Sequence, residues 1–402
     1  MAFTLACEQS LQSIDPSITM PYWEYGQDAY LYDAWYNSDV FADDLLGIAT
    51  PLNDDHTLDT GIFADIKMPS GKNYLDWDVA VEKTLNPFVN AYGYMRSPWN
   101  NNPSNLLSRF NLTYTGSTTT MPDCDLMMKC FNSNNLESMN DCLNGVTHGP
   151  VHILMGGLWG QRPADLWEDN DVSFLNGIDK LLFFKMLWRA GFTRCPVTCS
   201  KKMDNEECAC SVPDEYVDTY GAMYMLNVTG ILANLGSRVT ADSSDDYVLK
   251  ILRAIEDPGI AGEMFSSAAP YDPSFWPLHG QLERVLSYKR IKNARGDFRN
   301  SWDESWGYST ANNRYLQGEC DWSAVESADD LTLPSCEWGV DVICSGHNEY
   351  DELEFGNFQG LGEVYTNHDF YGYIAPWNTS LPYIYDSYDF QYCIDEGYSY
   401  ND

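Results

Sequence analysis

The sequence predicts a mainly α-helical protein with long loops and a disulfide-rich, partly irregular C-terminal region. Three observations carry this expectation. Apolar residues recur at helical spacing in several stretches before about residue 292. Twelve cysteines fall largely in clusters. From about residue 300 the pattern changes to short aromatic and acidic segments such as "CDWSAVESADDLTLPSCEWGVDVICSG", which read as loops and small strands pinned by disulfides. With 402 residues, 44% of them hydrophobic, the chain is long enough for one large core or two domains.

The first element is "FTLACEQSLQSI" (3–14), whose apolar residues have helical spacing; "IDPS" ends it, because the residue before a proline is pushed out of the helical region. Residues 95–123 are rich in Asn, Ser, Thr and Pro and read as an irregular excursion. Helices are expected at 134–143, 150–156, 173–190, 215–236, 245–255 and 277–292. "LLFFKMLW" (181–188) and "YMLNVTGILANLG" (224–236) are core helices on this reading, since neither approaches the roughly 18 apolar residues of a membrane span. Met and Phe at helical spacing in "VSFLNGIDKLLFFKMLW" and "GEMFSSAAPYDPSFW" are accounted for by core packing.

Charge excludes two classes of partner. Lys and Arg number 23 against 59 Asp and Glu, a formal net charge of −36, whereas nucleic acid or an anionic membrane requires a basic surface. The cysteines, with sequons at Asn111, Asn227 and Asn378, favour a secreted or extracellular protein with disulfides. The tight "CPVTCSKKMDNEECAC" group leaves a second reading open, since four thiolates at short spacing can close a tetrahedral zinc site. "MAFTLACEQSLQSIDPS" has neither a basic start nor a long apolar stretch and is not a signal peptide, so an export signal is expected upstream of Met1.

Six histidines are present, and two of them, His148 and His152 in "THGPVHILMGG", stand four apart and share one face of a helix. Imidazoles so placed suit copper, zinc, iron or nickel, although the spacing alone is equally that of two ordinary helix histidines. Pro150 is compatible with a helix only in its first turn, where no N–H is needed. A third histidine, His279 in "DPSFWPLHG", sits at the start of a later helix, just after Pro277, where it can project into a bundle interior. His56 and His368 lie among polar residues and are expected at the surface; His347 is expected to be structural or capping.

At these residues the sequence resembles the tyrosinase and polyphenol oxidase family of type 3 copper proteins. "HGPVHILMGG" is similar to the family's histidine pair followed by Gly-Gly. "DPSFWPLHG" is similar to its "D-P-x-F-x-x-H-H" segment, with His279 in the eighth place and Leu278 in the seventh. "MPYWEYGQD" (20–28) resembles the family's "PYWDW", and "FTLACEQSLQSIDPS" resembles the helix before it, with Glu8 as the helix glutamate. The resemblance implies a tyrosinase-like helix-bundle copper domain in which His148, His152 and His279 ligate one copper. It implies oxidation of a small phenolic substrate, a catechol or a protein tyrosine to a quinone by dioxygen held between two coppers.

That alignment puts the last ligand of the family's first copper site one place before Met1, so the chain is expected to hold one copper site, as part of a longer protein. Glu137 and Asp141, eleven and seven residues before His148, are weak candidates for taking the phenol proton, set against the ordinary solvated role of helix carboxylates. The expected organisation is a copper domain at 1–295 carrying a Cys-rich insertion at about 160–268, and an aromatic and acidic region at 296–402. His152 and His279 are 127 residues apart, several times the family's usual separation, which is why an insertion is inferred. Two alternatives stay open: a non-catalytic secreted glycoprotein on a degenerate copper fold, and a haemocyanin-like dioxygen binder.

Overall fold

A computed structural model describes residues 1–70, 89–110, 121–160, 172–175, 177–196, 198–297, 302–307, 318–326, 331–338, 348–353, 365–398 and 400. It is mainly helical. In chain order the α-helices are α1 (Ala2–Gln12), α2 (Tyr25–Leu31), α3 (Cys124–Phe131), α4 (Leu136–Cys142), α5 (Gly149–Gly156), α6 (Gly177–Arg189), α7 (Asp214–Tyr220), α8 (Ala222–Val228), α9 (Ile231–Leu235), α10 (Asp245–Ile255), α11 (Phe275–Arg295), α12 (Asn367–Tyr373) and α13 (Gln391–Asp395). Two small antiparallel ladders complete the described elements: β1 (Leu158–Trp159) on β2 (Ile260–Ala261), and β3 (Gly318–Asp321) on β4 (Ser335–Trp338).

Three hydrophobic clusters organise these elements. The first is the bundle of α3, α4, α5 and α11, closed by aromatic residues of the 23–41 segment and by Phe390, Tyr392 and Tyr400. A second cluster is built from Trp99 and residues between Leu158 and Ala261, around α6, α8 and α10. α10 shows the local logic plainly. Ser244 caps its first turn by accepting the Tyr247 N–H, acidic residues sit at its positive end, and Val248, Ile251, Leu252 and Ile255 form one buried stripe. The third cluster packs α1, through Leu5, against Tyr365, Phe370, Tyr373 and Ile374 of the C-terminal region.

The stretch 215–236, expected as one helix, is three. Gly221 and Gly230 take positive φ values of 78° and 76°, a conformation that only glycine adopts without strain, and each breaks the helix there. A helix that sequence reasoning missed, α3, follows the Asn- and Pro-rich excursion. Asp123 caps it by accepting the Leu126 N–H, and disulfides at both of its ends hold it.

Five disulfides join described residues: Cys124–Cys393, Cys130–Cys142, Cys195–Cys210, Cys199–Cys208 and Cys320–Cys336. Cys195, Cys199, Cys208 and Cys210 are all consumed in two of them, which corrects the zinc reading of that group: an oxidised sulfur has no thiolate to offer a metal. Cys7 is unpaired and Cys344 lies outside the described residues. No helix is long and apolar enough to cross a membrane among the described residues.

Candidate metal centre

The site is assembled by two helices and one short turn. Asn135 caps α4 by accepting the Ser138 N–H, and the chain then runs without a break through a wider π-helical turn, Leu143–His148, into α5. Leu143 and Thr147 face the core and Thr147 Oγ donates to the Leu143 carbonyl, which leaves His148 on the open side. Pro150 falls in the first turn of α5, where its missing N–H costs nothing, and His152 follows one turn after His148.

The glycines after the pair have a positional reason. A Cβ at Gly156 would stand 2.2 Å from the Phe265 nitrogen, and one at Gly157 would stand 1.8 Å from the Phe110 carbonyl oxygen. Their absence lets the 262–265 segment close onto α5. That approach places the Met264 carbonyl 2.7 Å from His152 Nδ1, fixing the N–H on that nitrogen and aiming the Nε2 lone pair into the site.

The third histidine is set by "DPSF". Asp272, fully buried, accepts the Ser274 N–H at 2.9 Å and two hydrogen bonds from Arg109, from Nε and a terminal nitrogen, both at 2.7 Å. Burial pushes the Asp272 carboxyl up, and the Arg109 guanidinium outweighs it and holds the group below the usual carboxylate range. This anchor starts α11, whose first turn contains Pro277. It directs His279 toward α5, with Phe275 lying 4.1 Å from its ring centre to centre. Leu278 is completely buried in the bundle core, so the seventh place of the segment packs rather than ligates.

Three imidazoles converge as a result. His148 Nε2 lies 2.8 Å from His152 Nε2 and 3.1 Å from His279 Nε2, and one nitrogen from each ring falls within 4.8 Å of the others. Nitrogens about 2 Å from one ion, at ordinary ligand angles, stand roughly 3 to 3.5 Å apart, and two of the cluster's three separations are close to that span. Its electrostatics fit as well. His148 Nδ1 lies 3.1 Å from Asn144 Oδ1 and donates to it, so the His148 and His152 Nε2 lone pairs face each other across 2.8 Å. Two lone pairs at that distance repel unless a cation stands between them.

A proton is poorly held there. Burial first, then the neighbouring His152, pushes His148 down to about 3, and burial first, then His148, pushes His279 down to about 2; burial lowers His152 too. An imidazole in the unfolded chain titrates near 6.5. As pH falls, the unfolded chain therefore takes up protons first, so these groups weaken the metal-free fold progressively from about pH 6.5 down to about 3. The metal-free protein is expected to melt lower at pH 5 than at pH 7, with a smaller difference in His279→Leu. An equal difference in both would remove the histidines as its source.

Asn144 is found by the fold, and its one signal in the sequence is that it stands four residues before His148 and hence on the same helical face. Outer hydrogen-bond partners of ligating histidines are worth about 10–100-fold in metal affinity. Asn144→Ala is expected to weaken binding of a first-row metal ion by about that factor at unchanged stoichiometry, read by competition with a chelator of known affinity; unchanged affinity would show that the ring is held without it.

A cavity of about 430 Å³ opens beside His148 and His279, between Leu136, Asn140, Asn144, Leu282, Trp306 and Tyr371, with Met1 and Ala2 of α1 at one side. Glu137 and Asp141 do not line it. Glu137 lies against Gly307, and Asp141 is exposed. His56 departs from its expected place at the surface: it is half-buried, with its ring 4.0 Å from Phe110 and 5.1 Å from Trp159 between centres. His368 is exposed and pairs with Glu349 at 2.7 Å, whereas His347 lies outside the described residues.

Residues 2–174 match the family model of the common central domain of tyrosinase. The matched range contains His148 and His152; His279 is beyond it, and the fold brings it in. No curated protein matches the chain.

Proposed function

We propose, from the match of residues 2–174 to the tyrosinase central domain, that the chain is a tyrosinase-family protein that serves copper-dependent oxidation of phenols or catechols to quinones, with His148, His152 and His279 as the three ligands of one copper. The observation that carries this reading is the convergence of three Nε2 atoms, with two of the rings locked into the correct tautomer by acceptors on their far nitrogens. When bound, a copper pair supplies the site for dioxygen and accepts the two electrons that turn a catechol into a quinone.

The chain's own residues do the rest. Asn144 and the Met264 carbonyl keep Nδ1 protonated, so that Nε2 is the free donor. Phe275 packs on the His279 ring and fixes its plane. The leucines and Trp306 of the cavity exclude water and suit a flat uncharged ring, while the carboxamides of Asn140 and Asn144 can hydrogen-bond a phenolic hydroxyl. The described residues contain one three-histidine group. Five disulfides support passage through an oxidising compartment, and we read the protein as secreted.

Counting ligands gives the test. Residues 1–402, expressed as they stand and loaded with copper, are expected to bind one ion per chain, lost in His152→Ala, and to oxidise catechol no faster than the metal-free sample. Copper at two ions per chain with catechol turnover would place a second site among residues given no role here. Failure to bind any copper would leave the non-catalytic glycoprotein as the better reading.

A further inference from the structure

α7, α8 and α10 enclose a groove of about 700 Å³ that shares no lining residue with the histidine cavity. Tyr220 and Tyr224 form one wall. Their rings are stacked, 5.9 Å apart and 21° from parallel, and are 38% and 48% exposed, so a flat aromatic surface faces the groove. Asp245 and Asp246, both exposed, stand on the opposite rim. The groove thus offers flat apolar faces beside hydrogen-bond acceptors, the combination that suits a pyranose ring, with C–H faces to stack and hydroxyl and acetamido hydrogens to donate.

Asn227 lines the same groove and opens the sequon Asn227-Val228-Thr229. It stands at the end of α8, where the chain turns: the Gly230 N–H donates to the Asn227 carbonyl, and Gly230 is left-handed. The Asn227 side chain is exposed and makes no hydrogen bond among the described residues, while the sequon's Thr229 Oγ donates to the Met225 carbonyl at 2.7 Å. Asn378, in a second sequon, differs. Its Nδ2 donates to the Tyr373 carbonyl at 2.7 Å and its Oδ1 accepts the Ser380 N–H at 3.0 Å, so its carboxamide is spent on the fold. Asn111, in the third, lies outside the described residues.

We propose that Asn227 is N-glycosylated and that the first sugars of its glycan lie in this groove, against Tyr220 and Tyr224, instead of standing free in solvent. An N-glycosidic bond forms between Asn227 Nδ2 and C1 of the first sugar as the C1–O bond to the diphosphate of the activated oligosaccharide donor breaks; the diphosphate-bearing carrier leaves and one Nδ2 proton passes to base. The site is independent of the copper centre and shares with the functional reading only the secretory route.

The full chain, secreted from a eukaryotic host behind a leader peptide, decides it by glycopeptide mass spectrometry and by timed enzymatic release of the glycan from native and from denatured protein. The Asn227 peptide should carry the sugar. Release should be several-fold slower from the native protein than from the denatured one, and Tyr224→Ser, on an exposed side chain, should remove most of that difference. An unmodified Asn227 beside a modified Asn378 overturns the site, as does a chain with no glycan at all. Equal release from native and denatured wild type overturns the docking in the groove. Because the primary readings use the wild-type chain, a variant that fails to fold does not decide the outcome, and copper binding measured on the same sample keeps this test apart from that of the metal centre.

Discussion

Replacing His279 with alanine is expected to abolish copper retention while leaving the chain folded. Of the three ligands, only His279 comes from α11; without it, His148 and His152 remain as a pair on one helical run, with no donor opposite them. Losing a ligand has to cost more than losing an outer hydrogen-bond partner, so the affinity should fall by more than about 100-fold. The ring is partly exposed on one side to the cavity, and its loss removes a small part of the bundle packing, so the melting temperature of the metal-free protein should change little. Dialysis against a weak chelator followed by metal analysis reads the effect. His56→Ala is the matched control, because His56 packs on Phe110 and Trp159 and belongs to no ligand group. Copper retained at full stoichiometry by His279→Ala would rule out the centre as described.

Arg109→Met is expected to destabilise the protein by about 3–5 kcal/mol, the cost of leaving one member of a buried ion pair without its partner. Both side chains are fully buried. The Arg109 guanidinium also donates to the Leu46, Gly47 and Ile48 carbonyls, which would lose their donor together with Asp272. Because Asp272 starts α11, the variant should also loosen His279 and weaken copper binding, an effect at a distance that a purely local loss of packing would not give. Denaturant midpoints measure the first consequence and chelator competition the second. The exposed pair of Arg295 with Asp297 sets the scale for comparison: Arg295→Ala should cost no more than about 1 kcal/mol, since exposed ion pairs are worth little. A cost for Arg109→Met as small as that would mean that water reaches the pair.

Much of the fold was legible along the chain because its cues are local. The stop at "IDPS", the proline in the first turn of α5 and the apolar stripe of α10 each depend on residues within one or two turns, and each helix lies close to where its pattern puts it. Reading failed where a local pattern permits two outcomes. Apolar spacing over 215–236 fits one long helix, and only the backbone at Gly221 and Gly230 shows that the chain uses the freedom of glycine to break it. The polar neighbours of His56 suggested a surface site, whereas the aromatic residues that half-bury it come from positions 110 and 159.

The sequence by itself singled out the three histidines that converge. The spacing of His148 and His152 and the place of His279 in "DPSFWPLHG" are properties of short segments, and the chemistry of imidazole follows from residue type. Tertiary structure decided everything that joins distant segments. It bridged the 127 residues between His152 and His279, chose the Met264 carbonyl as the acceptor on His152 through the close approach at Gly156 and Gly157, and moved Glu137 and Asp141 off the cavity. It also paired the cysteines of the 195–210 group with one another, where spacing alone had left disulfides and zinc both open. The physical reason is the same in each case: hydrogen bonds, disulfides and burial depend on distance in space, and a helical period fixes that distance only for residues a few places apart.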